Sequence, residues 1–409
     1  MNGIKKACFR AYQGAFRAAL PILPYREPQV LSSVRAVGGL IKSLRISKVF
    51  VVTDEALRRL GALNTLEETL SKNAINYVIY DKICANSTIS NVDDAYERYI
   101  NTDCEAIVAF GGGSSIDCAK ALGARVAYPR KSLDDLKGIL KVKRSIPTLI
   151  AIPTTAGTGS ETTVTAVITD PATSHKYTMN SFALIPRYAV LDPEVTLTLP
   201  KHLTATTGMD ALCHAVEAYI GRSTNKETRA LALEAVSLIF GNLEKAYNDG
   251  MDRAARANML KASYLAGNAF SRSYVGYIHA VAHTLGGRYG TPHGLANAVL
   301  MPIVLDAYGE CVYKKLHALA VAAGVASEED SDMLAAKRFI RAIREMNGRL
   351  GIPTSLSGIR IEDIPEMARY AESEANPLYP VPRIMDTDEL STFYFRVMDK
   401  NDRRSIACS

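Results

Sequence analysis

Short apolar runs rich in β-branched residues alternate with helical stretches between about residues 46 and 192. The runs 49–52, 77–80, 106–110 and 148–152 are candidate strands, and each is followed by polar or glycine-rich residues. Short apolar runs separated by helical stretches are typical of strand–helix–strand units, which build a mostly parallel sheet. The pattern therefore predicts an α/β domain in the first half of the chain.

The hydrophobic period changes to about 3.6 residues from Leu203 onward. Stretches such as 227–247 and 251–270 are rich in alanine and leucine, with no proline and few glycines. Pro193 and Pro200 bracket this change, and prolines of this kind punctuate element boundaries. We expect two domains, an α/β domain over residues 1–197 and an all-helical domain over residues 198–409.

The N-terminal segment 4–20 is predicted to form an amphipathic helix. Ile4, Cys8, Tyr12 and Phe16 fall on one side of it. Such a helix can lie on a membrane surface, but docking on the protein's own body or on a second subunit is the favoured interpretation. Arginine and proline interrupt the apolar stretch that follows, so we expect no membrane insertion.

Composition and charge narrow the functional classes only a little. Apolar residues make up 48% of the chain and charged residues 22%, which is typical of a folded, soluble protein. The net charge of +6 comes from 48 basic and 42 acidic residues that are spread along the chain. Because no basic stripe with interleaved aromatic residues is present, we expect no nucleic-acid partner. The seven cysteines are widely spaced and include no C-x-x-C motif, which favours a reducing cytoplasm over a disulfide framework.

Two polar turns that follow candidate strands are suited to binding a nucleotide. Gly111, Gly112 and Gly113 come directly after the run 106–110, and glycines let backbone N–H groups approach an anion at the start of a helix. The second turn, 153–161, is rich in hydroxyls and small residues. Either turn alone is equally consistent with an ordinary tight turn or a helix cap, but two of them after neighbouring strands favour a nucleotide.

Asp54 ends the first clear strand of this half. A carboxylate in this place can accept hydrogen bonds from a ribose diol and repels a 2′-phosphate, so it favours NAD(H) over NADP(H). The alternative is that Asp54 only caps the helix that follows.

The second half contains a pattern of metal ligands. Asp210 and His214 form one i,i+4 pair, His279 and His283 form another, and His293 follows in a glycine-containing setting. Imidazoles with one carboxylate suit Fe(II) or Zn(II) better than Mg(II) or Ca(II). Spacing leaves His283 open as either a ligand or a nearby base and proton carrier.

These motifs together resemble the iron-containing (group III) alcohol dehydrogenases. The markers are the glycine turn 111–117, the hydroxyl-rich turn 153–161, the stretch 208–217, and the histidine segment 279–297. The resemblance implies a dinucleotide-binding α/β domain with a mostly parallel sheet and an all-α metal-binding domain, with iron expected and zinc or another divalent ion as the alternative. It further implies a homodimer or a larger homo-oligomer.

The resemblance also assigns residues. It implies that the ion is held by Asp210, His214, His279 and His293, and that His283 lies near the nicotinamide and relays a proton. It implies cofactor contacts at Asp54, Asn86, Gly112, Gly113, Ser114, Ser115, Asp117, Thr154, Thr155, Thr158 and Lys176.

The expected activity is reversible hydride transfer between NAD⁺ and a primary alcohol, either aliphatic or a short diol. One alternative within the same superfamily is a dehydroquinate synthase-like enzyme or a polyol(-phosphate) dehydrogenase. A different class, metal-dependent hydrolysis with a hydroxide nucleophile, also suits the ligand set but leaves the two nucleotide turns unexplained.

Overall fold

The structure is a computed structural model that describes residues 3–84, 86–170 and 175–399. Ala85 and Cys408 lie outside the described residues.

A six-stranded sheet forms the centre of the first half. The strands of the chain are β1 (Gln29–Leu31), β2 (Lys48–Asp54), β3 (Asn76–Ile83), β4 (Ala106–Gly111), β5 (Gly138–Ile139), β6 (Thr148–Pro153), β7 (Thr165–Asp170), β8 (His175–Asn180) and β9 (Tyr188–Val190). The main sheet has the order β1-β9-β6-β4-β2-β3, and all its neighbouring strands pair in parallel. The four candidate strands lie within β2, β3, β4 and β6, which confirms the predicted parallel sheet.

Both faces of this sheet are covered by apolar side chains. Val49 and Val51 of β2 belong to one buried cluster, whereas Phe50 and Val52 belong to the other. Because side chains alternate between the two faces of a strand, a strand buried on both faces needs a continuous apolar run. The same parallel pairing brings the carboxyl ends of β2, β4 and β6 to one edge of the sheet.

A smaller three-stranded sheet has the order β5-β8-β7. Strands β7 and β8 pair antiparallel, with Thr165 opposite Asn180, and β5 pairs in parallel with β8. The sequence patterns did not indicate these short strands, the edge strand β1, or β9, which lies between β1 and β6.

Helices make up most of the second half. The helices are α1 (Gly3–Ala19), α2 (Val37–Ser43), α3 (Glu55–Arg59), α4 (Asn64–Lys72), α5 (Ile89–Ile100), α6 (Gly113–Ala127), α7 (Leu133–Leu136), α8 (Lys201–Ile220), α9 (Lys226–Asn248), α10 (Arg253–Ser273), α11 (Tyr277–Tyr289), α12 (His293–Tyr308), α13 (Glu310–Ala322), α14 (Asp332–Arg349), α15 (Ile364–Ala375) and α16 (Thr387–Val397). The predicted fold class, an α/β half followed by a helical half, is confirmed.

Contacts divide the chain into two compact units. The α/β unit comprises residues 24–199 and 251–267, and the helical unit comprises residues 1–23, 200–250 and 268–409. The N-terminal helix is therefore grouped with the helical half, although it precedes the sheet in the sequence.

Helix α1 docks through polar side chains on the helical unit. Arg10 donates to the carbonyl oxygens of Val381 (2.7 Å) and Pro382 (2.8 Å), and the buried Gln13 donates to that of Tyr379 (2.7 Å). Phe16 packs edge-on against a tyrosine of the same unit. The apolar side expected from the sequence is only partly covered, since Ile4 is 77% exposed.

Six cysteines lie within the described residues, and all six are free thiols. Among the described helices, none is both long and apolar enough to cross a membrane.

Candidate active site

Four candidate metal ligands converge in the helical unit. Helix α8 carries Asp210 and His214 one turn apart, α11 carries His279, and α12 begins at His293. One ligand atom from each of these four side chains lies within 4.8 Å of the others. Asp210, His214 and His279 are buried and His293 is partly buried, so water has little access to the four ligand atoms. All four side chains belong to helices, which are rigid enough to hold a metal-binding geometry.

Glu217 holds the ring of His279. Its Oε2 atom accepts the backbone N–H of Gly276 (2.8 Å) and lies 2.6 Å from His279 Nδ1, while its Oε1 atom accepts the N–H of Ile278 (2.9 Å). A carboxylate can only accept hydrogen bonds, so Nδ1 of His279 carries the proton. The lone pair of His279 is then on Nε2, the nitrogen that faces the other ligands.

Asn297, one turn after His293 on α12, lies among the ligand atoms. Its Nδ2 atom is 2.7 Å from Asp210 Oδ1, 3.2 Å from His279 Nε2 and 3.1 Å from His293 Nε2. An amide nitrogen has two hydrogens and cannot satisfy three acceptors fully. A buried cluster with more acceptors than donors fits a cation, and the nitrogen-rich donor set fits Fe(II) or Zn(II).

The electrostatics of the cluster favour the ligating forms of these groups. Burial, aided by the neighbouring histidines and opposed by the charge of Asp210, lowers the pKa values of His279 and His293 well below the ordinary range, so both rings are neutral. Burial alone would raise the pKa of Asp210. Favourable electrostatic interactions with the three surrounding imidazoles, that of His214 first, and the hydrogen bond from Asn297 outweigh that effect, so the pKa of Asp210 is lowered and the carboxylate is ionised.

Two further side chains contact the histidines of this cluster. The ring of His214 stacks on Phe270 with 4.2 Å between centroids, which fixes the imidazole plane. Cys213 Sγ lies 3.9 Å from His279 Nδ1, on the side of the ring away from the four-residue group. Burial raises the pKa of the Cys213 thiol well above its usual range, so the sulfur stays protonated and is a poor ligand.

His283 lies beside the four-residue group but is not a member of it. Its ring stacks on His293 with 5.2 Å between centroids and 20° between planes, and its Nδ1 atom lies 2.6 Å from Glu374 Oε1. Of the two roles that spacing left open, this geometry favours the base and proton carrier.

The two polar turns lie against each other in the α/β unit. The backbone N–H of Thr154 donates to the carbonyl oxygen of Gly111 (3.0 Å). A Cβ atom on Gly113 would lie 2.8 Å from Thr158 Cγ2, and one on Gly112 would lie 3.3 Å from Thr155 Cγ2. The glycines therefore allow a close approach of the turns, and α6 begins at Gly113 with its N–H groups at this edge of the sheet.

A buried lysine organises the second turn. Lys120 Nζ donates to Thr163 O (2.9 Å), Thr163 Oγ1 (2.7 Å) and Thr165 O (2.8 Å). Burial lowers the pKa of Lys120 to about 8 and raises that of Asp117 to about 6, and the attraction between the two groups partly opposes both shifts. Asp117 Oδ2 accepts the N–H of Val167 (3.0 Å), so this residue supports the small sheet.

The remaining predicted cofactor positions lie at the same end of the strands. Asp54 Oδ1 caps α3 by accepting the N–H of Leu57 (2.9 Å), as the alternative interpretation expected. Asn86 has a φ of 62° and its N–H donates to Ser114 Oγ (3.2 Å). Lys176 Nζ donates to Asn86 Oδ1 (2.8 Å). Asn86, Ser114 and Lys176 thus form one connected group, and the buried Ser115 follows on α6.

Several residues around the two sites were not indicated by the sequence patterns. Asn297 follows His293 by one helical turn, a spacing that brings the two side chains close together. Lys120 follows Asp117 at i+3 on α6 and could have been found in the same way. Glu374 directly precedes a proline-rich segment, residues 376–383, and Tyr379 lies within it. No local spacing points to either residue.

The fold and the site together define a class of protein. Its members combine, in one chain, an α/β unit whose turns suit a nucleotide and a helical unit with a histidine-rich candidate metal site. The family profile described as "Iron-containing alcohol dehydrogenase" matches residues 30–193, and the profile for the C-terminal part of the Fe-containing alcohol dehydrogenase family matches residues 204–398. The chain belongs to the iron-containing alcohol dehydrogenase family.

Individual relatives agree with this assignment. The chain is 37% identical to 1,3-propanediol dehydrogenase of Citrobacter freundii over 89% of this chain and 94% of the relative. It is 35% identical to NAD-dependent methanol dehydrogenase of Bacillus methanolicus over 83% of this chain and 89% of the relative. A crystal structure of 1,3-propanediol oxidoreductase superposes with a TM-score of 0.87 at 35% identity, covering 91% of this chain and 99% of the other.

The predicted enzyme class is confirmed by these findings. The chain is an oxidoreductase of the alcohol dehydrogenase type, and its family uses NAD and a divalent metal. The expected small-molecule alcohol substrate fits the same family.

Proposed function

We propose that this chain oxidises a primary aliphatic alcohol or a short diol reversibly to the aldehyde, with NAD⁺ as hydride acceptor. The observation that carries the proposal is the convergence of Asp210, His214, His279 and His293 on rigid helices, with acceptor atoms in excess of donors. The names of the relatives support the substrate class, since they include a propanediol and a methanol dehydrogenase.

Asp210, His214, His279 and His293 would hold the metal, iron by preference with zinc as the alternative. When bound, a divalent ion supplies the Lewis acidity that lowers the pKa of an alcohol hydroxyl, and NAD⁺ supplies the hydride acceptor. Glu217 keeps Nδ1 of His279 protonated, so that Nε2 points its lone pair at the other ligands.

His283 is the proposed proton carrier of the reaction. With its Nδ1 atom directed at Glu374, its Nε2 atom is available to take the proton that the alcohol gives up and to return it in aldehyde reduction. Its stacking on His293 supports this role, because it holds the ring beside the metal ligands without making it one of them.

The α/β unit would bind the dinucleotide at the carboxyl edge of its sheet. Gly112, Gly113, Ser114, Ser115 and Asp117 belong to the first turn and helix α6, and Thr154, Thr155 and Thr158 belong to the second turn. Backbone N–H groups at a helix N-terminus bind pyrophosphate well, and the threonine hydroxyls add donors. Asn86 and Lys176, joined by a hydrogen bond, are proposed to contact the cofactor beside them.

The assembly and the location stay predictions. We expect a homodimer or a larger homo-oligomer, supported by the family resemblance alone, and a cytoplasmic location, supported by the cysteine spacing.

Metal removal tests the proposed chemistry. Protein from which a chelator has removed the metal should oxidise butan-1-ol or propane-1,3-diol at less than about 10⁻⁴ of the metal-loaded rate. This loss is larger than the ~10²–10⁴-fold attributable to one general base. Anaerobic addition of Fe(II) or Zn(II) should restore NADH formation, measured by absorbance. Full turnover by the metal-free protein would refute the proposal. Turnover with glycerol phosphate or sugar phosphates, and none with simple alcohols, would favour the polyol-phosphate alternative.

Cofactor preference tests the role of Asp54. The substitution Asp54→Asn keeps an oxygen that can cap α3 but removes the charge that repels a 2′-phosphate. The ratio of kcat/KM for NAD⁺ to kcat/KM for NADP⁺ should fall by about 10-fold, equivalent to about 1.4 kcal/mol. Glu55→Gln, an exposed acid-to-amide change one residue later, is the matched control and should leave the ratio unchanged. An unaltered ratio in Asp54→Asn would remove this residue from cofactor selection.

A further inference from the structure

His283 is held by a carboxylate that lies 91 residues away in the sequence. His283 Nδ1, on α11, is 2.6 Å from Glu374 Oε1, at the last turn of α15. The hydroxyl of Tyr379 donates to the same oxygen at 2.7 Å. The side chain of Glu374 is 32% exposed and that of His283 is 20% exposed, so water has limited access to this contact.

Hydrogen-bond chemistry fixes the proton arrangement of this group. An ionised carboxylate is an acceptor only, so His283 must donate from Nδ1 and carry its lone pair on Nε2. Burial and the neighbouring Glu374 hold the pKa of Tyr379 well above its usual range, so the hydroxyl keeps its proton and donates. Two donors thus converge on one oxygen of Glu374.

The orientation of the ring matters because His283 lies beside the metal ligands. It stacks on His293 and meets His279 edge-on, at centroid distances of 5.2 and 6.0 Å. Either tautomer of an unrestrained neutral imidazole could occupy this place, but only the form protonated at Nδ1 leaves Nε2 ready to accept a proton.

We propose that Glu374, itself held by Tyr379, is a positioning residue that keeps His283 in the tautomer and orientation needed to carry a proton. This inference rests on the proposed function of His283. Glu374 does not touch the metal ligands in the described contacts and acts only through the histidine.

The N-terminal helix extends this chain of contacts. Helix α1 precedes residue 30, where the family profiles begin to match. Its buried Gln13 donates to the carbonyl oxygens of Pro377 (3.1 Å) and Tyr379 (2.7 Å), and Arg10 binds two carbonyls further along the same loop. The loop that carries the Tyr379 hydroxyl is therefore held in place by a segment outside the profile match.

Four variants of the full-length, zinc-loaded enzyme test the proposal. Glu374→Ala removes the acceptor. Glu374→Gln keeps the acceptor, because His283 and Tyr379 both bond to Oε1. The amide oxygen can take the place of Oε1, and the amide nitrogen can take the place of Oε2. Tyr379→Phe removes only the donor to Glu374. Glu366→Ala, an acid-to-alanine change in the first turn of the same helix, is the matched control; its carboxylate lies 3.9 Å from Arg288 and not against His283 in the described hydrogen bonds.

The first measurement is the tautomer of His283, read from ¹⁵N imidazole chemical shifts at about pH 9, above the ordinary imidazole pKa of ~6.5. The signal is assigned by its loss in His283→Asn. Wild type, Glu374→Gln and Glu366→Ala should show the Nδ1–H form, and Glu374→Ala should shift toward the Nε2–H form. An Nε2–H signal in the wild type, or an unchanged tautomer in Glu374→Ala, would overturn the proposal.

The second measurement is alcohol oxidation under saturating NAD⁺. We expect Glu374→Ala to lower kcat by about 10- to 100-fold with KM and zinc content unchanged, and Tyr379→Phe to lower it by less. Glu374→Gln should stay within a few-fold of the wild type, and Glu366→Ala should match it. Wild-type kcat in Glu374→Ala, or a Glu374→Gln enzyme as impaired as Glu374→Ala, would overturn the proposal.

The two measurements separate this inference from the proposed function. A wild-type enzyme that oxidises no alcohol would refute the proposed function, while the tautomer comparison would still decide the role of Glu374. Should Glu374→Ala fail to fold, as judged by its thermal unfolding, Glu374→Leu removes both acceptor oxygens at nearly the original side-chain volume and should give the same tautomer shift and the same loss of kcat.

Discussion

At the scale of single residues, the two histidines of α11 each depend on a distant acid. Glu217 holds His279 and Glu374 holds His283, both through Nδ1 at 2.6 Å. Glu217 is buried and accepts three N–H groups, and burial raises its pKa to about 7 in spite of those bonds. The two backbone N–H groups hold the Glu217 carboxylate, and the carboxylate in turn holds the His279 ring. Metal affinity should therefore respond even to a substitution of Glu217 that preserves its size.

We expect Glu217→Gln to weaken zinc binding by about 10- to 100-fold, the usual cost of losing a group that orients a metal ligand. Both oxygens of Glu217 accept N–H groups, whereas a glutamine has only one acceptor oxygen, so its NH₂ group would face one of these N–H donors. Chelator competition measures the affinity. Glu244→Gln, which alters an acid paired with Arg349 at the surface, is the control. Equal zinc affinity in the two variants would show that Glu217 does not orient the ligand.

Sequence spacing located the metal ligands at this scale but not their partners. The i,i+4 spacing of Asp210 and His214 is a local property of one helix, so it could be recognised from residue numbers. No spacing pairs Glu217 with the imidazole that it orients, since His279 lies 62 residues later in the chain.

At the scale of elements, the close packing of α8 and α12 places Asp210 beside His293. Gly294 makes this approach feasible, since a Cβ atom there would lie 2.4 Å from the carbonyl oxygen of Thr206 and 3.4 Å from Asp210 Cβ. A backbone oxygen cannot rotate away as a side chain can, so one added methyl group must push the two helices apart.

Gly294→Ala should therefore destabilise the protein by about 1–3 kcal/mol, as overpacking does, and reduce zinc affinity. The control is Gly241→Ala in α9, where an added Cβ atom meets nothing within 4 Å. That change should stabilise the protein by roughly 0.5–1 kcal/mol, because alanine loses less backbone entropy than glycine in a helix. Urea unfolding and zinc titration measure both effects. A Gly294→Ala protein as stable as the wild type would show that the helices can separate freely.

Elements were predicted best where they are long or buried on both faces. The four predicted strands β2, β3, β4 and β6 have continuous apolar runs because both buried clusters include their side chains, and that pattern is visible in the sequence. The short strands β5 and β9 contribute only two and three residues, too few to show a period.

At the scale of the whole molecule, the chain order does not follow the two compact units. Residues 1–23 group with the helical unit, and residues 251–267 group with the α/β unit. The change of hydrophobic period near residue 200 marks the place where strands give way to helices. It cannot show which later helical segment belongs with the α/β unit, since a helix has the same period wherever it docks.

The sequence by itself determined the fold class, the family and the types of side chain that make the candidate sites. Periodicity, turn chemistry and short motifs are local properties, and they are set by a few neighbouring residues. Only the tertiary structure decided that Asn297 lies among the ligand atoms, that Glu217 and Glu374 direct the two imidazoles of α11, and that α1 holds the loop of Tyr379. Those contacts join residues far apart in the chain, and they depend on how whole helices pack rather than on any spacing along one of them.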